Sequence, residues 1–325
     1  MIDILLVNLA ISYQQPKFCS NATWRYNATT FPVATASISA AYIFINKNNT
    51  ISVVNPTNST MVMWNDNNSI PIRTVKLNSS QPYSHFVMDS DDIYFDSFLQ
   101  AGQVGKWFTN STFSQPVMYP CAPCYGLFVD IDNNIYCSIK DKNQVVAQSL
   151  NSISYQMSIV AGTGISGSDP DMLSSPYQIY IDTNLDLYVA DSGNNRVQCF
   201  QLGQTNATTV AGASSQYTTI TLNSPTGIVL DGDKYLYITD SGNNRIVASG
   251  PYGFRCLVGC STTAGSTPDK LNSPVVFSFN SRGDMFVVDT GNNRIQKFYL
   301  QSNLCSEYNE ERLLYVKCTC FPSYR

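Results

Sequence analysis

The chain has 325 residues, of which only 13% are charged, and it carries a formal net charge of −4. The 43% hydrophobic content is enough for a large core, yet no run reaches the roughly 18 consecutive apolar residues of a membrane span. The 19 basic residues are scattered singly, so no face would concentrate phosphate groups. We therefore expect neither a membrane-spanning protein nor a nucleic-acid partner.

The first segment gives a mixed signal. Residues 4–11 are apolar apart from Asn8, but Asp3 stands where a secretory leader normally has a basic residue. We expect residues 1–14 to be an atypical leader or a truncated N-terminus. Residues 15–300 would then form the folded domain, and residues 301–325 a cysteine-containing tail.

Eight Asn-x-Ser/Thr sequons follow, seven of them within the first 110 residues. Their number is only slightly above chance, but those that can be placed fall in turns between predicted strands, where a glycan is solvated. We expect several to be glycosylated. The candidates are Asn21, Asn27, Asn48, Asn58, Asn67, Asn78, Asn110 and Asn206.

Ten cysteines suit disulfides in an oxidising, extracellular compartment. Cys121/Cys124, Cys256/Cys260 and Cys318/Cys320 lie close together in predicted loops or the tail, where an unpaired thiol is a liability, so we expect these cysteines to be in disulfides. A small structural disulfide is expected for Cys121 and Cys124, while the sequence does not give the connectivity of the others. A zinc site is disfavoured, because His85 is the only histidine. The disulfide candidates are Cys19, Cys121, Cys124, Cys256, Cys260, Cys305, Cys318 and Cys320.

The chain is built from repeats. Pro176, Pro225 and Pro274 are separated by 49 and 49 residues, and each opens an apolar strand followed by a polar turn and further short strands. Four short strands in 40 to 50 residues are typical of a β-propeller blade. No helical periodicity separates the strands, which argues against alternating β/α folds.

Six such units account for the chain. In chain order, we place the ends of their first strands at Asn46, Asp89, Asp130, Asp182, Asp231 and Asn280. A ring of blades must also close, because an open edge leaves backbone groups unpaired. Residues 27–34 resemble the fourth strand at 206–212, so we predict that this N-terminal strand completes the sixth blade. Cys19 would then lie near the tail cysteines.

Three near-identical heptads recur at the same phase of the last three units: 191–197, 240–246 and 289–295. They resemble the signature of the NHL-repeat family, and the resemblance implies an all-β, six-bladed β-propeller. It is strong over residues 175–298 and weak before them, since the third unit keeps only Asn143 and Val145 and has Gln144 in place of arginine.

We assign structural roles to the heptads. Their glycines are predicted to provide positive φ angles, their Asp and Asn side chains to bond local amides, and their arginines to anchor the turn to a carboxylate or carbonyl. The residues concerned are Asp191, Gly193, Asn195, Arg196, Asp240, Gly242, Asn244, Arg245, Asp289, Gly291, Asn293 and Arg294.

No catalytic constellation is evident. Metal-dependent propeller enzymes use several histidines or inward-facing acids, whereas His85, at the start of a first strand, is predicted to be a core histidine. There is no Gly-x-Ser-x-Gly elbow, and Cys121 and Cys124 lie in a loop rather than at a helix N-terminus. Calcium at first-strand ends is conceivable, but capping of turns is the commoner role there. We expect no cofactor and no enzymatic activity.

The remaining function is recognition. The turns between second and third strands share a face with the long loops 162–175, 212–224 and 259–273, which could form a binding rim. We therefore expect a secreted, glycosylated module that binds an extracellular protein or glycan. The alternatives are a metal-dependent propeller hydrolase or lyase, and a scaffold related to ubiquitin ligases but without their RING domain.

Overall fold

The computed structural model describes residues 15–31, 42–66, 68, 70–77, 82–97, 102–109, 111, 113–152, 154–215 and 220–304. This part of the chain forms β-strands and four short 3₁₀ turns. It holds no helix of the length and hydropathy needed to cross a membrane. The predicted leader at 1–14, the sequons at Asn67, Asn78 and Asn110, and the tail cysteines lie outside these residues.

The strands group into six blades preceded by a short N-terminal segment. That segment contributes β1 (Thr23–Trp24) and β2 (Thr29–Thr30). Blade 1 contains β3 (Tyr42–Ile45), β4 (Thr50–Asn55), β5 (Thr60–Asn65) and β6 (Arg73–Lys76). Blade 2 contains β7 (His85–Val87), β8 (Ile93–Ser97), β9 (Gln103–Trp107) and β10 (Ser114–Met118). Blade 3 contains β11 (Gly126–Val129), β12 (Asn134–Ile139), β13 (Gln144–Ser149) and β14 (Ser158–Ala161).

The last three blades are the most regular. Blade 4 contains β15 (Pro176–Ile181), β16 (Leu187–Asp191), β17 (Arg196–Phe200) and β18 (Thr208–Gly212). Blade 5 contains β19 (Pro225–Leu230), β20 (Leu236–Asp240), β21 (Arg245–Gly250) and β22 (Gly253–Val258). Blade 6 contains β23 (Pro274–Phe279), β24 (Met285–Asp289) and β25 (Arg294–Phe298), and β26 (Leu300–Ser302) follows it.

The blades form a closed ring. Each is a four-stranded antiparallel sheet, and the first strands contact one another in the order β3, β7, β11, β15, β19, β23 and back to β3. First strands are buried along nearly their whole length because every blade is packed between two neighbours, whereas the outer strands β14 and β22 are largely accessible. The predicted six-bladed propeller is confirmed.

The N-terminal segment completes blade 6, as the sequence predicts. Strand β2 pairs with β25 in the register Thr29 to Lys297 and Thr30 to Gln296. Strand β1 pairs with β26, and the Trp24 indole donates a hydrogen bond to the Gly283 carbonyl at 2.8 Å. Phe18 is buried against Trp24, with ring centroids 5.0 Å apart. Backbone pairing and aromatic packing together tie the two ends of the ring.

A buried ionic cluster crosses the same seam between blades 6 and 1. Asp66 follows β5 and accepts from Lys297 Nζ at 2.8 Å and from the guanidinium of Arg282. Lys297 also pairs with Asp284 at 3.3 Å, and its side chain is only 7% exposed. Because burial of unpaired charge is costly, each member of this cluster depends on the others.

The first strands end where the pattern predicted in five blades. Asn46, Asp130, Asp182, Asp231 and Asn280 each follow the strand by one residue and accept backbone amides two and four residues ahead. In blade 2 the prediction of Asp89 is off by one residue. Met88 occupies the equivalent position there, since its amide bonds the Asp92 carbonyl as the Asp182 amide bonds Asp186.

The cysteine pairing differs in part from the prediction. Cys256 and Cys260, both predicted to be in disulfides, are bonded to each other. The predicted Cys121/Cys124 bond is wrong: Cys121 is free and exposed in a turn at φ 58°, while the buried Cys124 is joined to Cys137 on β12. Antiparallel pairing of β11 with β12 brings these two Cα atoms to 5.2 Å. Cys19 and Cys199 are also disulfide-bonded.

The buried ionic cluster at the seam between blades 6 and 1 is predicted to contribute to the stability of the fold. We expect Asp66→Ala to lower the free energy of unfolding by about 3 kcal/mol, because among the described residues it leaves the longer Asp284 contact as the one ion pair of the buried Lys297 ammonium. The matched control is Lys17→Ala, which breaks the exposed Lys17–Asp233 pair and should cost less than about 1 kcal/mol. Denaturant unfolding measures both, and equal losses would contradict a special role for the buried seam.

Candidate functional site at the heptad face

Each heptad turn is built around a buried carboxylate. Asp191 accepts from Arg196 Nε at 2.7 Å, from Asn194 Nδ2 at 2.8 Å and from the backbone amide of Ser174 at 2.7 Å. Asp191 is fully buried, and Arg196 is 3% exposed. Asp240 and Asp289 repeat the arrangement in blades 5 and 6. The carboxylate thus fixes both the turn and the arginine.

The arginines clamp the loops that lead into their blades. Arg196 donates to the carbonyls of Ser168 at 2.7 Å, Asp169 at 3.2 Å and Met172 at 3.0 Å. Arg294 makes the same three contacts with Ser266, Thr267 and Lys270. The loops before blades 4 and 6 are therefore held by the heptad arginines, whereas Arg245 of blade 5 makes one such contact, with the Thr221 carbonyl at 2.8 Å.

The heptad glycines have a different role from the predicted one. The prediction of positive φ at Gly193, Gly242 and Gly291 is wrong, because the left-handed residue of each turn is the second asparagine, with Asn195 at φ 54°. The glycines instead allow close approach of the preceding loop. A Cβ at Gly193 would lie 2.4 Å from Ser174 Oγ. The Gly193 amide donates a hydrogen bond to the Ser174 carbonyl at 2.9 Å.

The second asparagine also joins neighbouring blades. Asn195 Oδ1 accepts from the Ser224 amide at 2.8 Å, at the entrance to blade 5. Asn244 does the same with Ser273, and Asn143 with Ser175. The third unit has lost the aspartate and arginine of the heptad, yet it keeps this contact between blades.

The most distinctive surface on this face is an arc of tyrosines at the mouth of the central channel. Tyr83, Tyr125 and Tyr177 come from blades 2, 3 and 4 and are all partly exposed. The Tyr83 and Tyr125 rings stack with centroids 4.6 Å apart, and Tyr125 meets Tyr177 at 5.2 Å. Lys140 Nζ lies 5.1 Å from the Tyr125 ring centroid and 5.8 Å from that of Tyr177. We call these four side chains the tyrosine arc.

Tyr125 and Tyr177 present neutral phenols in the arc. Burial, and to a smaller extent the neighbouring Tyr83, raises the pKa of Tyr177 to about 12. Burial, Tyr83 and the charge of Asp141 also raise the pKa of Tyr125. The hydroxyl groups of both residues therefore remain protonated at physiological pH and can donate as well as accept hydrogen bonds.

The arc is hidden in the sequence when blade 2 is aligned on Asp89. Tyr125 and Tyr177 stand five residues before Asp130 and Asp182, and Tyr83 stands five residues before Met88. With blade 2 aligned on Asp89, that position reads as Ser84 and the third tyrosine is lost. Alignment on Met88 would have shown three tyrosines at one position of three consecutive blades.

Below the arc, the channel is crossed by an amide. Gln178 of blade 4 donates to the Tyr42 hydroxyl of blade 1, on the opposite side of the ring, at 2.9 Å, and its carbonyl oxygen accepts from the Ile228 amide at 2.7 Å. A row of ring contacts follows the inner strands through Phe44, Phe86, Phe128 and Tyr180, with centroids 4.8–5.1 Å apart. This part of the wall is aromatic and amide-bearing.

His85 belongs to the core. It is fully buried, its Nε2 lies 2.7 Å from Ser52 Oγ, and burial lowers its pKa to about 3. The first-strand acids cap turns, as described above. Within the described ranges, no group of three or more His, Cys, Asp or Glu side chains is arranged to hold a metal ion.

Asp96, on the second strand of blade 2, is the one buried acid among the described residues for which neither carboxyl oxygen has a hydrogen-bond partner. It lies on β8 beside the entrance of blade 3, is fully buried, and neither carboxyl oxygen accepts a hydrogen bond of good geometry. Burial raises its pKa to about 7, an effect that the nearby amides of Cys124 and Tyr83 offset only in part. Sequence analysis gave no signal for this group.

The described sequons lie at the surface. Asn21, Asn27, Asn48, Asn58 and Asn206 are all exposed. Asn21 and Asn27 belong to the N-terminal segment, Asn48 and Asn58 to turns of blade 1, and Asn206 to the turn between β17 and β18. All five are therefore accessible to solvent, as glycosylation requires.

Comparison with known proteins supports the fold. The family model described as NHL repeat matches residues 173–200. No curated protein sequence matches the chain. Among solved structures, a protein of unknown function from Bacteroides thetaiotaomicron is 13% identical with a TM-score of 0.67, covering 90% of this chain and 76% of its own.

Two further structures are similar at comparable distance. An auxiliary nutrient binding protein from Bacteroides thetaiotaomicron is 14% identical with a TM-score of 0.64, covering 90% of this chain and 76% of its own. Virginiamycin B lyase from Staphylococcus aureus is 12% identical with a TM-score of 0.55, covering 91% and 97%. At these identities the likeness concerns the fold alone, which hosts binding proteins and enzymes alike.

Asp96 predicts a pH-dependent stability. In the folded chain the Asp96 carboxyl keeps its proton up to about pH 7, whereas in the unfolded chain it loses the proton near pH 3.8. The free energy of unfolding therefore falls as pH rises between these two values. Asp96→Asn should therefore raise the melting temperature at pH 8 by roughly 2 °C or more and have little effect at pH 4. The exposed Asp132→Asn serves as control. An Asp96→Asn chain less stable than wild type at pH 8 would contradict this account.

Proposed function

We propose that this chain, a six-bladed β-propeller of the NHL-repeat family, is a secreted, glycosylated recognition module that binds an extracellular protein or glycan at its heptad face. The observation that carries the proposal is the tyrosine arc. Three partly exposed tyrosines and one lysine, in mutual contact around the channel mouth, form a surface that suits an incoming ligand.

The chemistry of the arc supports binding. Tyrosine offers a large amphipathic ring with few rotatable bonds, so it gains contact area at a small entropic cost. Its ring faces pack against sugar rings or apolar side chains, and its hydroxyl bonds polar groups of either ligand. Lys140 adds a positive charge close to these rings.

The clamped loops support the same proposal. Arg196 and Arg294 hold the loops beside the channel through three carbonyls each. A surface that is already ordered loses less conformational entropy when a partner binds. The heptads thus contribute to recognition indirectly, by positioning the rim.

Disulfides and glycosylation sequons support the proposed extracellular location. The Cys124–Cys137 and Cys256–Cys260 disulfides suit an oxidising compartment. The exposed sequon asparagines are acceptable glycan sites in that compartment. We propose no catalytic step and no cofactor for this module.

Tyr125 gives the sharpest test of the binding face, since its ring contacts Tyr83, Tyr177 and Lys140. Binding of the secreted chain to a glycan array and to a panel of extracellular proteins identifies a ligand class. For that ligand, Tyr125→Ala should weaken affinity about tenfold or more, and Tyr125→Phe should lose less because it keeps the ring.

The control for this test is Tyr252→Ala. Tyr252 is 98% exposed in the hairpin between β21 and β22, on the opposite face of the ring. Wild-type affinity for Tyr125→Ala, or an equal loss in Tyr252→Ala, would contradict the proposed face. A glycan ligand would resist protease treatment of the target, and a protein ligand would not.

A further inference from the structure

A small cleft lies on the face opposite the heptads, at the seam between blades 6 and 1. It has a volume of about 230 Å³. Blade 1 contributes Asn46 and Lys47 from the turn after β3, and blade 6 contributes Asn280 and Ser281 from the turn after β23. Phe279 forms part of an apolar wall, and Gln15 of the N-terminal segment closes one side.

The walls of this cleft are fixed. Asn46 and Asn280 use their carboxamides to cap their own turns, and each also donates to a neighbouring aspartate. The segment that carries Gln15 is held by the Pro16 carbonyl, which accepts from the Gly232 amide at 3.1 Å. The next anchor is Phe18, which is 3% exposed and packs against Phe279 at 4.8 Å.

Three groups at the cleft retain hydrogen-bonding capacity. Gln15 Oε1 is buried and accepts no hydrogen bond. The Ser281 hydroxyl accepts from Asn49 Nδ2 at 2.8 Å and keeps its own proton to donate. Lys47 Nζ uses one donor on Asp89 at 2.5 Å and has two more. Gln15 lines the cleft, and a hydroxyl donor of a ligand within reach of its Oε1 would satisfy that oxygen.

The charges around the cleft favour a neutral ligand. Lys47 is already paired with Asp89. The nearby Arg282 and Lys297 are paired with Asp66 and Asp284. A bound anion would compete with these carboxylates, and a bound cation would meet the ammonium of Lys47. A ligand that both donates and accepts hydrogen bonds without net charge meets neither difficulty.

From these observations we infer that the cleft is a second binding site, separate from the heptad face, for one neutral hydroxyl-rich ring of monosaccharide size. The volume equals that of about eight water molecules at roughly 30 Å³ each, so it suits a single ring rather than an extended chain. The apolar wall that includes Phe279 packs against the carbon face of the ring. Its hydroxyls meet Gln15, Ser281 and Lys47.

The inference is tested with glucose, galactose, mannose and N-acetylglucosamine, and with the charged analogues glucuronate and glucosamine. Saturation-transfer NMR and thermal melting on the full chain should show saturable binding of at least one neutral sugar, with a dissociation constant of roughly millimolar order. Because the ligand bridges the seam between the first and last blades, the melting temperature should rise with its concentration. Saturation by none of the neutral sugars, or tighter binding of a charged analogue, would overturn it.

Variants separate this site from its surroundings. Gln15→Leu keeps the size of the side chain and should weaken binding at least fivefold, and Ser281→Ala should weaken it as a second, independent change. The matched control is Gln204→Leu, at an exposed glutamine of blade 4. Tyr125→Ala should leave sugar binding at the cleft unchanged, so failure of this inference and failure of the heptad-face proposal are distinguishable. Equal affinity in wild type and both cleft variants would contradict the assignment.

Discussion

The buried aspartate–arginine pair of the heptad turns is the interaction on which the binding face depends. Asp191 and Arg196 are 0% and 3% exposed, and a charge pair so deeply buried is favourable only when its remaining hydrogen bonds are satisfied. The loop before blade 4 provides that satisfaction through carbonyls and an amide. The ion pair and the loop therefore stabilise each other.

This coupling explains how a short motif organises a large surface. The heptad occupies seven residues, yet it orders a loop more than 20 residues earlier in the chain and, through its second asparagine, the entrance of the next blade. The aspartate–arginine pair recurs in blades 4, 5 and 6, and the three-carbonyl contact with the loop recurs in blades 4 and 6. The tyrosine arc lies beside these ordered loops, and the small cleft lies on the other face, where the ring closes.

The sequence predicts the architecture well because each blade of a propeller repeats the same strands and turns, and therefore the same residues at their ends. Prolines at intervals of 49 residues, turn-capping Asp and Asn residues, and a segment at 27–34 whose sequence resembles 206–212 were sufficient to predict blade number and closure. The errors have local causes. In blade 2 the position of the turn-capping Asp or Asn is occupied by Met88, so the alignment was placed on the adjacent Asp89 and hid Tyr83. Cys137 was overlooked because its partner Cys124 is close only across a strand pair.

The site was harder to predict than the fold because it depends on contacts between blades. Asp96 has an ordinary sequence context, and its raised pKa results from burial between blades 2 and 3. The role of Gly193 depends equally on the approach of Ser174 from an adjoining loop. Such approach distances are set by the closed ring and are not encoded in any local pattern.

Backbone hydrogen exchange in Arg294→Gln tests the central claim most directly. The loop before blade 6 contains the bonded amides of Gly265, Lys270 and Asn272, and the loop before blade 4 contains those of Gly167 and Met172. If the arginine holds its loop, Arg294→Gln accelerates exchange in the first set and leaves the second unchanged. Unaltered exchange in both loops would contradict the claim that the heptads order the binding face.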